Sequence, residues 1–230
     1  MVGGLSSIPG RAADLGRVLD SIVPQVARLH LFLHGYDSIP ETAKRPNVVV
    51  YLAPVEHPFG AAGKYFGLRQ ETQPCLYLTF DDDIIYGPGY AERLRAGLVR
   101  YGGRAVVGIH AANLRDTLPL KYRLSRTIHF ARRLLFDAMV DEVGSGTAGI
   151  VSGGIDIDPP NWPLKRTADL MVALAAERAS MPRIALRRPR MSLVPLAENQ
   201  SDSLYRDMVR DDRDQSLHAL ELMRLMGRMS

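Results

Sequence analysis

The chain of 230 residues holds one cysteine, one tryptophan and four lysines. No apolar run approaches the roughly 20 residues a membrane span requires. A lone Cys75 excludes an intramolecular disulfide and fits a reducing compartment, most simply the cytoplasm. Its place in an apolar stretch reads as a small buried hydrophobe. The first residues lack a charged segment followed by an apolar one, so neither secretion by a signal peptide nor a spanning membrane protein is expected. Zinc-type spacing, internal repeats and low-complexity tracts are missing too. No nucleic-acid-binding motif is seen, so nucleic acid is not an expected partner.

What is present, 46% hydrophobic and 23% charged residues, is the make-up of one compact domain with a small C-terminal appendage. The formal charge of +4 rests on arginine, which points to phosphate as a partner class. The densest cluster, Arg183 with Arg187, Arg188 and Arg190, suits an anionic membrane or a phosphorylated acceptor, or is simply a solvated edge.

Strand and helix signals alternate, which argues an α/β fold with a mainly parallel sheet. Strands are expected at Leu5–Ile8, Arg28–Leu33, Asn47–Ala53, Cys75–Phe80, Arg104–Ala111, Ile150–Ser152 and Arg183–Leu186. Helical spacing runs over Arg11–Leu29, with Pro24 set to kink or end it, and over Lys64–Glu71, Tyr90–Tyr101 and Thr167–Ala179. Asn113–Asp141 is basic and aromatic and takes no clear assignment. The stretch Asp156–Pro163, with three prolines and Trp162, reads as an irregular surface loop. Beyond Gln200, the positions Leu217, Leu220, Leu222, Leu225 and Met226 suit an amphipathic helix that caps the sheet or meets a partner.

The most informative feature is the run Asp81, Asp82 and Asp83, placed directly after the apolar strand Cys75–Phe80. Open α/β sheets bind ligands just beyond the carboxyl ends of their strands. In extended backbone Asp81 and Asp83 share one side and Asp82 faces the other. Two carboxylates side by side repel unless a cation lies between them, and a hard divalent ion bridging to a nucleotide diphosphate meets that need. The spacing therefore reads as a D-x-D metal and nucleotide-sugar site.

Taken together, Ser7-Ile8-Pro9-Gly10-Arg11, the Gly63-Lys64 loop, Phe80 to Pro88 and Asp169 at a helix start resemble a GT-A fold glycosyltransferase. The likeness extends over roughly residues 1 to 190. More narrowly, these residues resemble the family 2-like bacterial enzymes of capsule and lipopolysaccharide assembly.

The resemblance implies a Rossmann-like, mainly parallel sheet flanked by helices, with a C-terminal amphipathic helix. Residues 1–112 would form the donor half, 113–199 the acceptor half and 200–230 a helical appendage. It implies a hexosyltransferase-type enzyme that uses Mn²⁺ or Mg²⁺ to move a sugar from a UDP- or GDP-type donor to a saccharide or lipid-linked acceptor, with inversion. Asp81 and Asp83 would hold the metal and Asp82 the ribose, while Pro9, Arg11, Tyr36 and Lys64 would contact the nucleotide. Asp169 would be the base.

Ala168 stands where the family usually has an acidic residue, and no Q-x-x-R-W motif follows, which speaks against a processive synthase. Further expectations attach to Thr147, His110, His129 and Trp162 as acceptor-side contacts, each with a structural role as its alternative. The site would be cytoplasmic, with peripheral contact to the inner membrane through the Arg183–Arg190 cluster as an option. Two other functions compete: a degenerate module that binds nucleotide sugar without transferring it, and a sugar-phosphate nucleotidyltransferase. The latter is suggested by Gly3-Gly4 and weakened by the missing G-x-G-T-R signature.

Overall fold

The computed structural model describes residues 1–163, 167–190, 193–196 and 211–229. Its centre is an eight-stranded sheet. Strands β1 (Val2–Ser7), β2 (Arg28–His34), β3 (Val48–Ala53) and β4 (Leu76–Phe80) run parallel in the spatial order β3-β2-β1-β4.

Beyond β4 the sheet continues through β11 (Ala148–Val151), antiparallel to both its neighbours, then β6 (Val106–Gly108), β12 (Arg183–Ala185) and β9 (Ala138–Met139). Two small antiparallel sheets are added to it. One joins β7 (Ala111–Asn113), β8 (Arg126–Ile128) and β10 (Glu142–Val143), and the other joins β5 (Ile84–Tyr86) and β13 (Leu193–Pro195).

Side chains alternate across the sheet, so each face acquires its own cover. Leu5, Leu29, Leu31, Leu78 and Phe80 form one core with α1 (Ala12–Ile22) and α2 (Tyr90–Arg100). Tyr77 and Ile150 turn to the opposite face, where they meet Tyr65 and the apolar side of α3 (Ala168–Arg178). The fold is a mixed α/β architecture with a mainly parallel sheet between helices, as the alternating sequence signals predict.

Local chemistry decides where the elements stop. The helix expected over Arg11–Leu29 ends at Ile22 and passes through a 3₁₀ turn, Val23–Gln25, because Pro24 has no N–H to continue the ladder. Within α1, Leu15, Val18, Leu19 and Ile22 are fully buried. Each contributes on the order of 1.5–3 kcal/mol of transfer free energy. The start of α2 relies on Gly89, whose φ of 79° is left-handed and disfavours a side chain.

The helix expected near Lys64–Glu71 is instead a 3₁₀ run, Gly60–Gln70. It lies close to β1 because Gly4 has no side chain; a β-carbon there would overlap the Lys64 carbonyl. Gly3 and Gly4 thus lie within a packed strand and not in a pyrophosphate loop, which removes the cue for a nucleotidyltransferase.

The strand expected at Arg104–Ala111 divides into β6 and β7, so the chain passes from the large sheet to the small one at Ile109-His110. The unassigned stretch from 113 to 141 supplies β8 and β9. At the C-terminus, α4 (Arg213–Leu225) packs Ala219, Leu222 and Met223 against Leu170, Met171 and Leu174 of α3. The helix therefore covers another helix and not the sheet directly. Residues 200–210 of the appendage lie outside the described residues.

Candidate functional site

Strand order brings the candidate residues together. The chain leaves β1 toward β2 on one side, while β4 pairs on the other, and the ends of β1 and β4 lie next to each other in register through Leu5 and Phe80. This is the switch point at which open α/β sheets leave a crevice. The exit of β1 is the 3₁₀ turn Pro9–Arg11, and the exit of β4 is Asp81 to Asp83. Asp82 turns toward β1, where its Oδ2 accepts the Ile8 amide at 3.4 Å. Asp81 and Asp83 line the cleft. Asp82 and Asp83 lie in a turn and not in extended backbone, yet Asp81 and Asp83 share the cleft and Asp82 does not line it.

Each aspartate has a distinct electrostatic setting. Asp81 contacts the ammonium of Lys64, which is 7% exposed. Burial by itself would lower the Lys64 pKa, but Asp81, with Asp169 and Asp82 behind it, raises it above the ordinary value. The Arg11 guanidinium stands 3.9 Å from Asp83. Burial lifts the Asp82 carboxyl to about 6, against the lowering effect of Ser7 and with Asp83 and Asp81 adding to the rise. Asp83 is also raised, first by burial and then by Asp81, with Arg11 and Lys64 opposing.

Opposite the aspartates is the tight turn Gly144 to Thr147. The buried Tyr86 hydroxyl joins the two sides: it accepts the Asp81 amide at 2.7 Å and donates to the Gly146 carbonyl at 2.6 Å. Asp169, in the first turn of α3, accepts the Ser145 amide on Oδ1 at 2.8 Å. Asp169 thus ties the start of α3 to the Gly144–Thr147 turn. Together these groups line a cleft of about 1190 Å³ whose walls also include His110, Tyr122, His129, Glu142 and Arg190. A smaller depression of about 270 Å³ between α2 and Arg187 shares no residue with it.

Other expected residues have internal tasks. The Tyr36 hydroxyl donates to the Ile8 carbonyl at 2.9 Å and lies 3.0 Å from Ser7 Oγ, which ties the exit loop of β2 to the end of β1. Thr147 is buried and accepts the His110 amide at 2.9 Å, so its hydroxyl organises the turn. Trp162 packs edge-on to Tyr65, with ring centroids 5.7 Å apart, and does not line the cleft. His110 and His129 both line it, with ring centroids 5.4 Å apart. Burial lowers the His110 pKa, which favours the neutral imidazole.

The arginine cluster does not form one basic face. Arg183 is 6% exposed and pairs with Glu177 at 2.7 Å, and Arg188 is 3% exposed and donates to the carbonyls of His129, Leu186 and Ile128. Arg187 and Arg190 are left exposed, and Arg190 belongs to the cleft. Among the described residues no helix is long and apolar enough to cross a membrane.

The sequence reading missed Tyr86, Ser145, Tyr122 and Glu142. Tyr86 closes the motif Asp81-Asp82-Asp83-Ile84-Ile85-Tyr86 and was legible only as part of the Phe80 to Pro88 stretch. Nothing in the local sequence marks Tyr122 and Glu142 as partners, because they are 20 residues apart and meet through Tyr122 Oη donating to Glu142 Oε1 at 2.7 Å.

Among the described residues no group of three or more His, Cys, Asp and Glu side chains is arranged to hold a metal. The donor set nonetheless fits one mode of hard-cation binding: Mg²⁺-like ions take one or two carboxylates and complete their shell with substrate phosphates and water. Asp81 and Asp83 supply those two carboxylates, and their crowding favours a cation.

A sheet with a crevice at this switch point, flanked by helices and bearing an aspartate run beyond the central strand, has the architecture of the GT-A glycosyltransferases. No family model matches the chain, and no curated protein matches it by sequence. Among solved structures it is similar to GalNAc-T7 crystallised with UDP, GalNAc and Mn²⁺, with a TM-score of 0.56 and 11% identity. That likeness covers 91% of this chain and 47% of the other, so the chain spans about half the length of GalNAc-T7. At that identity the likeness is one of fold. A197 from STIV is matched at a TM-score of 0.39 and 17% identity over 72% of this chain and 83% of that one, too low to carry an argument.

Proposed function

We propose that this protein is a metal-dependent glycosyltransferase that moves a sugar from a UDP- or GDP-type donor to a saccharide or lipid-linked acceptor with inversion, in the manner of the bacterial family 2-like enzymes. The observation that carries this reading is the cleft itself. Asp81 and Asp83, at the β1/β4 switch point, line the same cleft as Asp169, which is held by the Ser145 amide at 2.8 Å. That the similar GalNAc-T7 structure holds UDP and Mn²⁺ supports a nucleotide and divalent metal as the ligands.

The roles follow from position. Asp81 and Asp83 would hold Mn²⁺ or Mg²⁺, which would neutralise charge on the departing diphosphate. Pro9 and Arg11, at the opening of α1, approach the diphosphate, where free backbone amides and a guanidinium suit it. Lys64 keeps Asp81 in place and reaches phosphate only by exchanging that partner. Asp82 and Tyr36 define the ribose and base side.

Asp169 accepts the proton of the acceptor hydroxyl as its oxygen attacks the anomeric carbon. The bond from that carbon to the diphosphate oxygen breaks, and the nucleotide leaves with the electron pair. Residues 1–112 would then be the donor half, 113–199 the acceptor half and 200–230 an appendage, in a cytoplasmic enzyme.

A second reading draws on the Lys64–Asp81 contact, since an ammonium already neutralises one of the two carboxylates. A domain of that kind binds nucleotide sugar without transferring it. Titration calorimetry with UDP and GDP, each with Mn²⁺, Mg²⁺ or EDTA, tests both readings, with Asp83→Ala as the control. Metal-dependent binding lost in Asp83→Ala, followed by donor hydrolysis, is the result expected of the enzyme. Metal-dependent binding without hydrolysis or transfer favours the module. No binding in any condition overturns both.

A further inference from the structure

On the far side of the Gly144–Thr147 turn from Asp81, the cleft wall contains a carboxyl to which the transfer chemistry assigns no task. Glu142 lies on β10, is 3% exposed and lines the cleft. Its Oε1 accepts the Tyr122 hydroxyl at 2.7 Å, and its Oε2 has no hydrogen-bond partner among the described residues. No lysine or arginine of the described residues forms a salt bridge with it, whereas its neighbour Asp141 is paired with Arg228 at 2.6 Å. A buried polar atom left without a partner costs roughly 1–3 kcal/mol, and such an atom in a ligand cleft marks a position for a ligand group.

We propose that Glu142 and Tyr122 form a saccharide subsite on the acceptor side of Asp169, in which Glu142 Oε2 donates a hydrogen bond to a hydroxyl of a neutral acceptor sugar. The proposal rests on the glycosyltransferase reading for the word acceptor, and on geometry for the subsite. Because Oε1 already accepts from Tyr122, a proton on the carboxyl belongs on Oε2. Burial raises Glu142 to about 8, with Asp169 and Asp141 raising it and Tyr122 opposing, so the proton is present at neutral pH.

A neutral carboxylic acid both donates and accepts, which matches a hydroxyl group. A neutral carboxyl offers a cationic ligand no charge to pair with. Glu142 belongs to the small sheet β10-β7-β8 and the aspartates follow β4 of the large one, so the subsite and the metal site occupy different elements.

The test uses ¹³C-glutamate-labelled protein with UDP and Mn²⁺ present. The Glu142 carboxyl signal is identified by its loss in Glu142→Gln. The probes are the methyl glycosides of glucose, galactose, mannose and N-acetylglucosamine. The expected result is a shift of the Glu142 signal with at least one glycoside. Affinity should then fall about tenfold or more in Glu142→Ala and stay within a few-fold in Glu142→Gln, which keeps one donor and one acceptor. Tyr122→Phe should also weaken binding, and it serves if Glu142→Ala does not fold.

A Glu142 signal unmoved by every glycoside overturns the subsite. So does unchanged affinity in the folded alanine variant, which would make the pair a purely structural link. UDP binding measured on the same samples separates the two levels. Glycoside binding without UDP binding keeps the subsite and sinks the transferase reading, and UDP binding without any glycoside effect does the reverse.

Discussion

Gly146 is pressed so closely against Asp81 that a β-carbon at Gly146 would overlap the Asp81 carboxylate. The first aspartate of the motif is therefore shaped by a turn 65 residues later in the chain. Gly146→Ala should push the Asp81 side chain aside and weaken UDP and Mn²⁺ binding at least about tenfold, the equivalent of roughly 1.4 kcal/mol. Calorimetry on the folded variant checks this, and affinity equal to wild type would show that the aspartate has room to move.

Tyr86 holds the same two segments together through the Asp81 amide and the Gly146 carbonyl. Tyr86→Phe preserves the ring packing on Phe80 and Tyr90 but leaves both backbone groups short of a partner. The expected loss is about 1–3 kcal/mol of stability in chemical denaturation. A change of only a few tenths would mean that water replaces the hydroxyl.

Asp169→Asn retains an oxygen for the Ser145 amide and loses the basic group. Under the proposed chemistry, turnover should drop by about 10²- to 10⁴-fold while UDP and Mn²⁺ binding is preserved. Equal loss of both would instead make Asp169 a structural tie between α3 and the turn.

The buried Glu142 carboxyl gives the protein a pH signature. It titrates at about 8 when folded, against an ordinary value of 4.5, with Asp169, Tyr122 and Asp141 as the groups that set its field. Between those two values the folded state holds a proton that the unfolded state has released, so this group's contribution to stability falls as pH rises through the window and levels off above it. Glu142→Gln has no proton to lose. Its unfolding free energy, measured by chemical denaturation at each pH, should gain on wild type across that range, by an amount on the order of a few kcal/mol at the upper end. Parallel pH curves for the two proteins would show that Glu142 ionises freely.

Leu222 on α4 is fully buried in the contact with α3. Leu222→Ala should cost about 2–5 kcal/mol in unfolding experiments if α4 is part of the same cooperative unit. A separate early transition would mark α4 as an independently detachable element.

Much of this was legible in advance. The parallel strands near the N-terminus were marked by Leu29, Leu31 and Leu33, and the strand before the aspartates by Leu76 to Phe80, because buried strands concentrate apolar residues locally. Pro24 marked the stop of α1. The reading failed where meaning depends on distant neighbours. Lys64, read as a phosphate contact, has a partner in Asp81 that the local sequence does not reveal. Arg183 and Arg188 read as a basic face, yet both are buried on partners that only folding supplies. Gly3 and Gly4 resembled a loop because sequence does not reveal that Phe80, Leu29 and the Lys64 carbonyl crowd the space where their side chains would be.

The sequence by itself determined the alternation of strands and helices and the position of Asp81, Asp82 and Asp83 beyond a buried strand, since periodicity and local backbone preference act over a few residues. Only the tertiary structure decided that Asp169 bonds to Ser145, that Tyr86 bridges Asp81 and Gly146, and that Glu142 is enclosed with Tyr122. Those relationships depend on strand order and on the close packing of distant segments, and the protonation of a carboxyl depends on the solvent that this packing removes.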